Sequence, residues 1–381
     1  MRVEVSGRLL RWACERAGLE PDAATARFSD FPDWESGELK PTLKQLEKFA
    51  SALHVPIGFL FLTEPPIESL PIPDFRTVGG TRVERPSPEL LETVYLCKQR
   101  QEWYRDYARS VGEEPKAWIG AATLKSDVVE TAATIRSVLA IDNEERKRWS
   151  TWTEALRRLI ELADIAGVLV MVNGIVGSNT HRKLDPDEFR GFALADDLAP
   201  LVFVNGADTK AAQMFTLAHE IAHLWLGKSG LSDVGPTSQS SNEVEQWCNQ
   251  VAAELLVPLQ ALRAEYRSGA TMGEEKDRLA RYFKVSTLVM LRRLHDLGAM
   301  PRARLSKMYD EELKKLVEIV RRSSGGEFYN TQIVRVGKRF QRALITSTLE
   351  GQTLHRDAFR LLGFSKLSAF QELGRRLGVT T

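Results

Sequence analysis

Cysteine is scarce in this sequence, and long apolar runs are missing from it. Three cysteines occur among 381 residues, at positions 14, 97 and 248. Their odd number and wide spacing argue against a disulfide framework and favour a reducing compartment. No apolar run approaches the roughly 20 residues that span a bilayer, and the N-terminus lacks the apolar core of a signal peptide. We therefore expect a cytoplasmic protein without a membrane partner.

Charge of one sign is not in excess either. The formal net charge is +1, which identifies no partner by itself, and 43% of the residues are hydrophobic. A chain of this length and composition can bury real cores and is expected to form two or three domains.

Histidine is also rare, with six in the chain, yet two of them lie in the motif His219–His223, which reads His-Glu-Ile-Ala-His. The flanking residues keep a helical apolar pattern until Gly227 ends it. Residues four apart stack on one helix face, so His219 and His223 can hold one metal ion, with Glu220 beside them. Zinc with three protein ligands keeps a position for water and lowers its pKa toward about 7, and Glu220 would act as general base. The alternative is two ordinary histidines on a helix.

A third ligand is expected from the segment 242–258, which offers three carboxylates. We predict Glu245, because Asn249 then lies one turn further on the same face and can fix a ligating imidazole. Glu254 is the alternative, although its apolar neighbours also suit a buried partner. The intervening residues 228–241, rich in Gly and Ser, are predicted to form a loop that could rim or gate a cleft.

The strand-like segment 200–205, the helix 215–224 and the later stretch 245–258 together resemble the ImmA/IrrE family of metallopeptidases, over roughly residues 160–300. In that family two His and a downstream Glu hold zinc, and the Glu of the helical motif is the general base. The resemblance thus assigns zinc to His219, His223 and Glu245, and the base to Glu220. Cys248 stands where the family usually has Ala, a small residue that should pack equally well. The family's substrates are typically repressors, cut to derepress stress-response or mobile-element genes.

Residues 189–194 and 200–204 are predicted to form two antiparallel strands, which with 167–172 make a small sheet under the metal-site helix. Helical patterns dominate elsewhere. The fold class is therefore α+β, mostly helical, with a zincin-like peptidase domain and a small antiparallel or mixed sheet. The predicted domains are a helix-turn-helix-like bundle (1–65), a proline-rich linker (66–86), a helical region (87–160), the peptidase domain (161–300) and a basic helical module (301–381).

Residues 1–64 resemble the helix-turn-helix of XRE-type repressors, including the segments 34–38 and 41–43. The segment 29–33 is about four residues shorter than the usual turn and recognition helix, and Pro32 lies inside it, which argues against a full major-groove helix. The module carries eight Lys or Arg against ten Asp or Glu, whereas DNA-binding modules neutralise phosphates with basic side chains. We favour a degenerate fold kept for dimerisation or substrate docking, with operator binding as the alternative and a homodimer as the predicted assembly.

Two further groups of residues are candidates for function. Residues 276–299 resemble the helical pair that closes the peptidase domain, and packing is the role favoured there. His295 and Tyr282 are candidates for stabilising a tetrahedral oxyanion. The tail, 301–381, has sixteen Lys or Arg against eight Asp or Glu. A solvated basic face is the ordinary interpretation, and a contact to nucleic acid or an acidic protein is the alternative. The candidate contact residues are Arg335, Lys338, Arg339 and Arg342.

Two functions from different classes remain at this point. The first is a zinc endopeptidase, open or latent, which cuts a repressor or antitoxin-like protein. The second is an antitoxin or transcriptional regulator that binds a toxin partner or DNA, with a weak or inactive peptidase site. Relatives with this layout are often associated with toxin-antitoxin modules, which supports the second interpretation. The intact residues His219, Glu220 and His223 favour the first, because a pure binding module needs none of them.

Overall fold

The chain folds into two compact units in the computed structural model. The structure describes residues 1–75, 86–142, 146, 148–232, 242–320 and 334–379, with side chains to residue 314 in the helix that ends at 320. One unit comprises Met1–Pro71 with Val83–Glu92, and the other comprises Ile72–Arg82 with Thr93–Thr381. Most of the predicted loop 228–241, from residue 233 onward, lies outside the described residues.

The first unit is a bundle of short helices. Its helices are α1 (Gly7–Arg16), α2 (Pro21–Arg27), α3 (Phe31–Ser36) and α4 (Leu43–Ala52), followed by a 3-10 helix (Ile57–Phe61). Thr42 and Gln45 form a reciprocal capping box that starts α4, and Leu10, Trp34 and Phe49 lie in the unit's core. Helix α3 has only six residues, as expected from the shortened segment around Pro32.

The second unit is built on a small mixed sheet. Its strands are β1 (Leu169–Asn173), β4 (Gly191–Leu194), β5 (Leu201–Asn205) and β6 (Gly230–Leu231), in the order β1-β5-β4-β6. Strands β2 (Ile175–Val176) and β3 (Asn179–Lys183) form a separate antiparallel pair. Strand β5 pairs parallel with β1 and antiparallel with β4. The predicted antiparallel pair is therefore confirmed, and the small sheet is mixed.

The remaining helices belong to the second unit, except that the first of them begins in the first unit, where residues 88–92 are grouped. They are α5 (Pro88–Ser110), α6 (Val128–Val138), α7 (Trp152–Ile165), α8 (Lys210–Trp225), α9 (Glu243–Leu256), α10 (Leu259–Glu265), α11 (Met272–Phe283), α12 (Thr287–Asp296), α13 (Arg302–Val320), α14 (Lys338–Leu349), α15 (His355–Leu362) and α16 (Leu367–Arg376). Helix α8 packs on β4 and β5 and also on α7 and α9. The mostly helical α+β class predicted from the sequence is confirmed.

The largest hydrophobic core lies where α7, α8 and α9 meet the sheet. Leu159, Val202, Leu217 and Val251 belong to it, one from each of these helices and one from β5. Helix α14 packs against β1 and against α15 and α16. Within the described part of the chain, no helix combines the length and the apolar character needed to cross a membrane.

Candidate metal centre

Helix α8 carries the His-Glu-Ile-Ala-His motif in the interior of the second unit. Thr209 starts the helix, its side chain accepting a hydrogen bond from the amide of Ala212. Their separation of four residues places His219 and His223 on one face of the helix, and their Nε2 atoms lie 3.0 Å apart. Both imidazoles are fully buried, so this face points into the protein.

Helix α9 brings a carboxylate to the same point. Asn242 caps the helix by accepting from the amide of Val244, and Glu245 lies in the first turn, fully buried. Its two carboxylate oxygens lie 3.3 Å from Nε2 of His219 and 3.0 Å from Nε2 of His223. One ligand atom from each of these three residues falls within 4.8 Å of the others.

Asn249 lies one turn beyond Glu245 and contacts the other side of one imidazole. Its Oδ1 is 3.1 Å from Nδ1 of His219. An acceptor at Nδ1 keeps the proton there and leaves Nε2 as the electron-pair donor. Asn249 thus occupies the position expected for a residue that orients a ligating imidazole.

Glu254, the alternative third ligand, is engaged elsewhere. Its carboxylate forms a buried ion pair with Arg293 and accepts a hydrogen bond of 3.1 Å from the amide of Leu259. The structure therefore groups Glu245, and not Glu254, with the two histidines.

The protonation of the cluster suits a cation. Burial lowers the pKa of His223, although Glu245 partly opposes this effect, so the imidazole is neutral at neutral pH. Burial would raise the pKa of Glu245, but the two imidazoles outweigh it and bring the value to about 2. Neither oxygen of Glu245 receives a hydrogen bond from the described residues. A buried carboxylate within hydrogen-bond distance of two imidazole Nε2 atoms offers the oxygen and nitrogen donors that a divalent metal prefers, so the residues fit a metal ion.

Glu220 lies beside this cluster, held by β4 and by the end of β6. Burial raises its pKa well above the ordinary value, and the charge of Glu245 raises it further. The hydroxyl of Ser232 donates to Oε2 of Glu220 over 3.2 Å, which partly opposes the rise, and lies 3.1 Å from Nε2 of His223. A carboxylate with a raised pKa beside a metal site is suited to accept and return a proton.

Among the residues that the structure describes, three neighbours of the centre were not predicted from the sequence. Ser232 is one of them. Phe75 is the second, with its ring stacked on His223 at 5.8 Å between centroids and 11° between planes. Gly191 is the third, because a Cβ there would lie 3.1 Å from Oε1 of Glu220. The glycine within a strand pattern is a recognisable sign of close approach, but Ser232 and Phe75 carry no signal in the sequence.

The two candidate oxyanion-stabilising residues are held by other contacts. The hydroxyl of Tyr282 donates to Glu265 over 2.8 Å, and Nδ1 of His295 lies 2.9 Å from the carbonyl oxygen of Met300. These contacts hold both side chains in the packing around residues 276–299. Packing is the role favoured for those residues from the sequence. Their catalytic role stays a prediction.

The four basic candidates of the tail have different environments. Lys338 and Arg342 are exposed, whereas Arg335 and Arg339 are partly buried. The guanidinium of Arg339 bonds the hydroxyl of Tyr104 at 2.6 Å and the carboxylate of Glu113 at 2.9 Å. Arg339 therefore has an internal role, and the exposed part of the predicted contact surface reduces to Lys338 and Arg342.

Comparison with known families places this centre inside a recognisable domain. Residues 163–295 match the peptidase M78 family, described as the IrrE N-terminal-like domain. This range contains all four side chains of the centre and supports the resemblance to ImmA/IrrE metallopeptidases. Residues 336–376 match a domain of unknown function. A search of curated proteins gave no match.

Proposed function

We propose that this protein is a zinc-dependent endopeptidase that cleaves a regulatory protein of the repressor or antitoxin class. The observation that carries the proposal is the buried cluster of His219, His223 and Glu245 with Glu220 beside it. The match of residues 163–295 to an IrrE-like domain supports a metallopeptidase of this type.

Each side chain of the centre has a distinct role in this proposal. His219, His223 and Glu245 would hold zinc, and Asn249 would fix the tautomer of His219. Zinc, when bound, supplies Lewis acidity that activates water and polarises a peptide carbonyl. Glu220 takes the proton from the attacking water and passes it to the leaving amine, and Ser232 orients its carboxylate.

The biological setting follows from the family resemblance. We propose a cytoplasmic enzyme whose substrate is a repressor or antitoxin, cut in a stress response or within a mobile element. The short α3 and the acidic balance of residues 1–64 argue against operator binding by the first unit. That unit would instead serve dimerisation or substrate docking.

Metal content, measured by native mass spectrometry, tests the metal site. We expect near-stoichiometric zinc in the wild-type protein and its loss in His223→Ala and Glu245→Ala. Glu243→Ala is the matched control, since this exposed carboxylate lies on the same helix turn and should leave zinc unchanged. Wild-type protein without zinc would refute the proposal and favour the antitoxin or regulator alternative.

Replacement of Glu220 tests the catalytic role separately. Glu220→Gln should keep zinc and folding but lose turnover by roughly a hundredfold to ten-thousandfold, because it removes the base and no ligand. Proteomes of cells expressing either form give the measurement: the substrate is the protein cleaved only with wild type. Equal cleavage by Glu220→Gln would remove Glu220 from the mechanism.

A further inference from the structure

A short segment of the chain pairs with β6 on the side away from β4, next to the metal centre. The amide of Phe75 donates to the carbonyl of Leu231 over 2.9 Å, and the amide of Leu231 donates to the carbonyl of Pro73 over 2.9 Å. Asp74 forms a parallel bridge with Leu231. Residues 73–75 thus behave as an additional parallel strand beyond β6.

The ring of Phe75 fills a site that suits a flat side chain. One face of the ring stacks on the imidazole of His223. Gly230 also bounds this space, because a Cβ at this position would lie only 2.2 Å from Cε2 of the ring. The missing side chain at position 230 therefore creates the space that the aromatic ring occupies beside a metal ligand.

Strand β6 connects this edge to the chemistry. Leu231 makes both backbone hydrogen bonds to residues 73–75, and the next residue, Ser232, contacts Glu220 and His223. A peptide paired with β6 is therefore held within one residue of the groups that would act on it. Backbone pairing accepts any sequence, and a side-chain pocket adds selectivity, as in strand-addition recognition generally.

We propose that the β6 edge is the binding surface for an extended substrate peptide with an aromatic side chain beside His223, and that residues 73–75 are an internal occupant of this surface. The inference rests on the proposed peptidase function and specifies its substrate class. A tethered segment competes at an effective concentration on the order of millimolar. Substrate binding therefore requires displacement of residues 73–75.

A binding experiment on the full-length protein tests this inference. A fluorescently labelled peptide of residues 69–75 is titrated with wild type and Phe75→Ala, and anisotropy reports binding. Removal of the ring weakens the internal occupant, so Phe75→Ala should bind the peptide at least about tenfold more tightly than wild type. Ile67→Ala, which truncates a 98% exposed side chain earlier in the same segment, should bind like wild type.

A second pair of reagents identifies the pocket. Adding Gly230→Ala to Phe75→Ala places a methyl group in the ring's space, and the labelled peptide should lose binding again. A peptide with Ala in place of Phe should also fail to bind Phe75→Ala. Equal affinities for wild type and Phe75→Ala, or undiminished binding by the double variant, would overturn the inference.

Hydrogen exchange gives an independent measurement. The Leu231 amide should exchange faster in Phe75→Ala than in wild type, and added peptide should restore its protection. Unchanged exchange would contradict release of the segment. Zinc content of the same samples separates the two proposals: zinc without peptide binding refutes this inference alone, and peptide binding without zinc refutes the peptidase proposal.

Discussion

Gly191 on β4 allows α8 to approach the sheet at the position of Glu220. A Cβ at this residue would meet Cγ2 of Thr216 at 2.5 Å and the carbonyl oxygen of Phe203 at 2.8 Å, as well as the carboxylate of Glu220. The backbone oxygen of a paired strand cannot move away without breaking the sheet. The position of Glu220, the proposed base, therefore depends on the absence of a side chain at Gly191.

We expect Gly191→Ala to lower stability by about 1–3 kcal/mol, because overpacking a close-packed core forces strand and helix apart. For a unit of this size, the melting temperature should fall by roughly 2 °C per kcal/mol, measured by circular dichroism. Gly273→Ala is the control, since nothing lies within 4 Å of a Cβ there and alanine favours the helix. Equal melting temperatures for the two variants would contradict the steric argument.

At the scale of elements, three arginines from other parts of the chain surround the C-terminus of α9, the helix that supplies Glu245. Arg136 donates to the carbonyl of Leu255, Arg146 to that of Leu256, and Arg293 to that of Val257. Cations at a helix C-terminus donate hydrogen bonds to the last carbonyls and interact favourably with the negative end of the helix dipole. Burial, with a smaller contribution from the neighbouring Arg136, lowers the pKa of Arg146 to about 9. It remains protonated at neutral pH.

We predict that Arg293→Met destabilises the second unit by about 3–5 kcal/mol, because Glu254 is left as an unpaired buried charge. Adding Glu254→Gln should recover part of this loss, since the remaining group is neutral and still accepts from Leu259. Urea unfolding gives the free energies, and Arg304→Met serves as the control at an exposed position. Additive effects of the two substitutions would argue against the ion pair.

At the scale of the whole second unit, one polar network joins distant parts of the chain. Arg339 on α14 bonds Tyr104 on α5 and Glu113 beyond it, while its backbone amide donates to Asp164 at the end of α7. Lys116 also bonds Glu113, at 3.0 Å. This network ties the C-terminal helices to the helices that precede the sheet.

Replacement of Glu113 should give a pH-dependent effect. Burial would raise the pKa of Glu113, but Tyr104, Lys116 and Arg339 lower it below its ordinary value. A lowered folded-state pKa contributes stability above the unfolded-state pKa, and this stability is lost as the pH falls through the folded-state value. Glu113→Gln should therefore cost about 2 kcal/mol at pH 7 and little in acid, measured by urea unfolding at several pH values. Glu114→Gln is the matched control, because that neighbour is exposed. A constant cost at every pH would contradict the charged network.

The sequence correctly predicts relations between residues that lie close together in the chain. His219 and His223 share a face of α8, and Glu245 and Asn249 share a face of α9, because helical spacing alone fixes these relations. Ser232 and Phe75 were missed, since their positions depend on which backbone pairs with β6. Arg339 was one of four candidates for a surface contact, and its inward bond to Glu113 spans 226 residues. Such a partner is set by tertiary packing and leaves no periodic pattern.

The pairing of residues 73–75 with β6 also bears on how the protein resists aggregation. Strands β1 and β6 are the two edges of the four-stranded sheet. Gly337 lies against the carbonyl of Val170 at one edge, and residues 73–75 cover the other. An uncovered edge offers unpaired amides and carbonyls to any neighbouring chain. Displacement of residues 73–75 therefore leaves the backbone groups of β6 unpaired. In concentrated protein, this edge can pair with a substrate peptide or with a second copy of the protein, and the two compete.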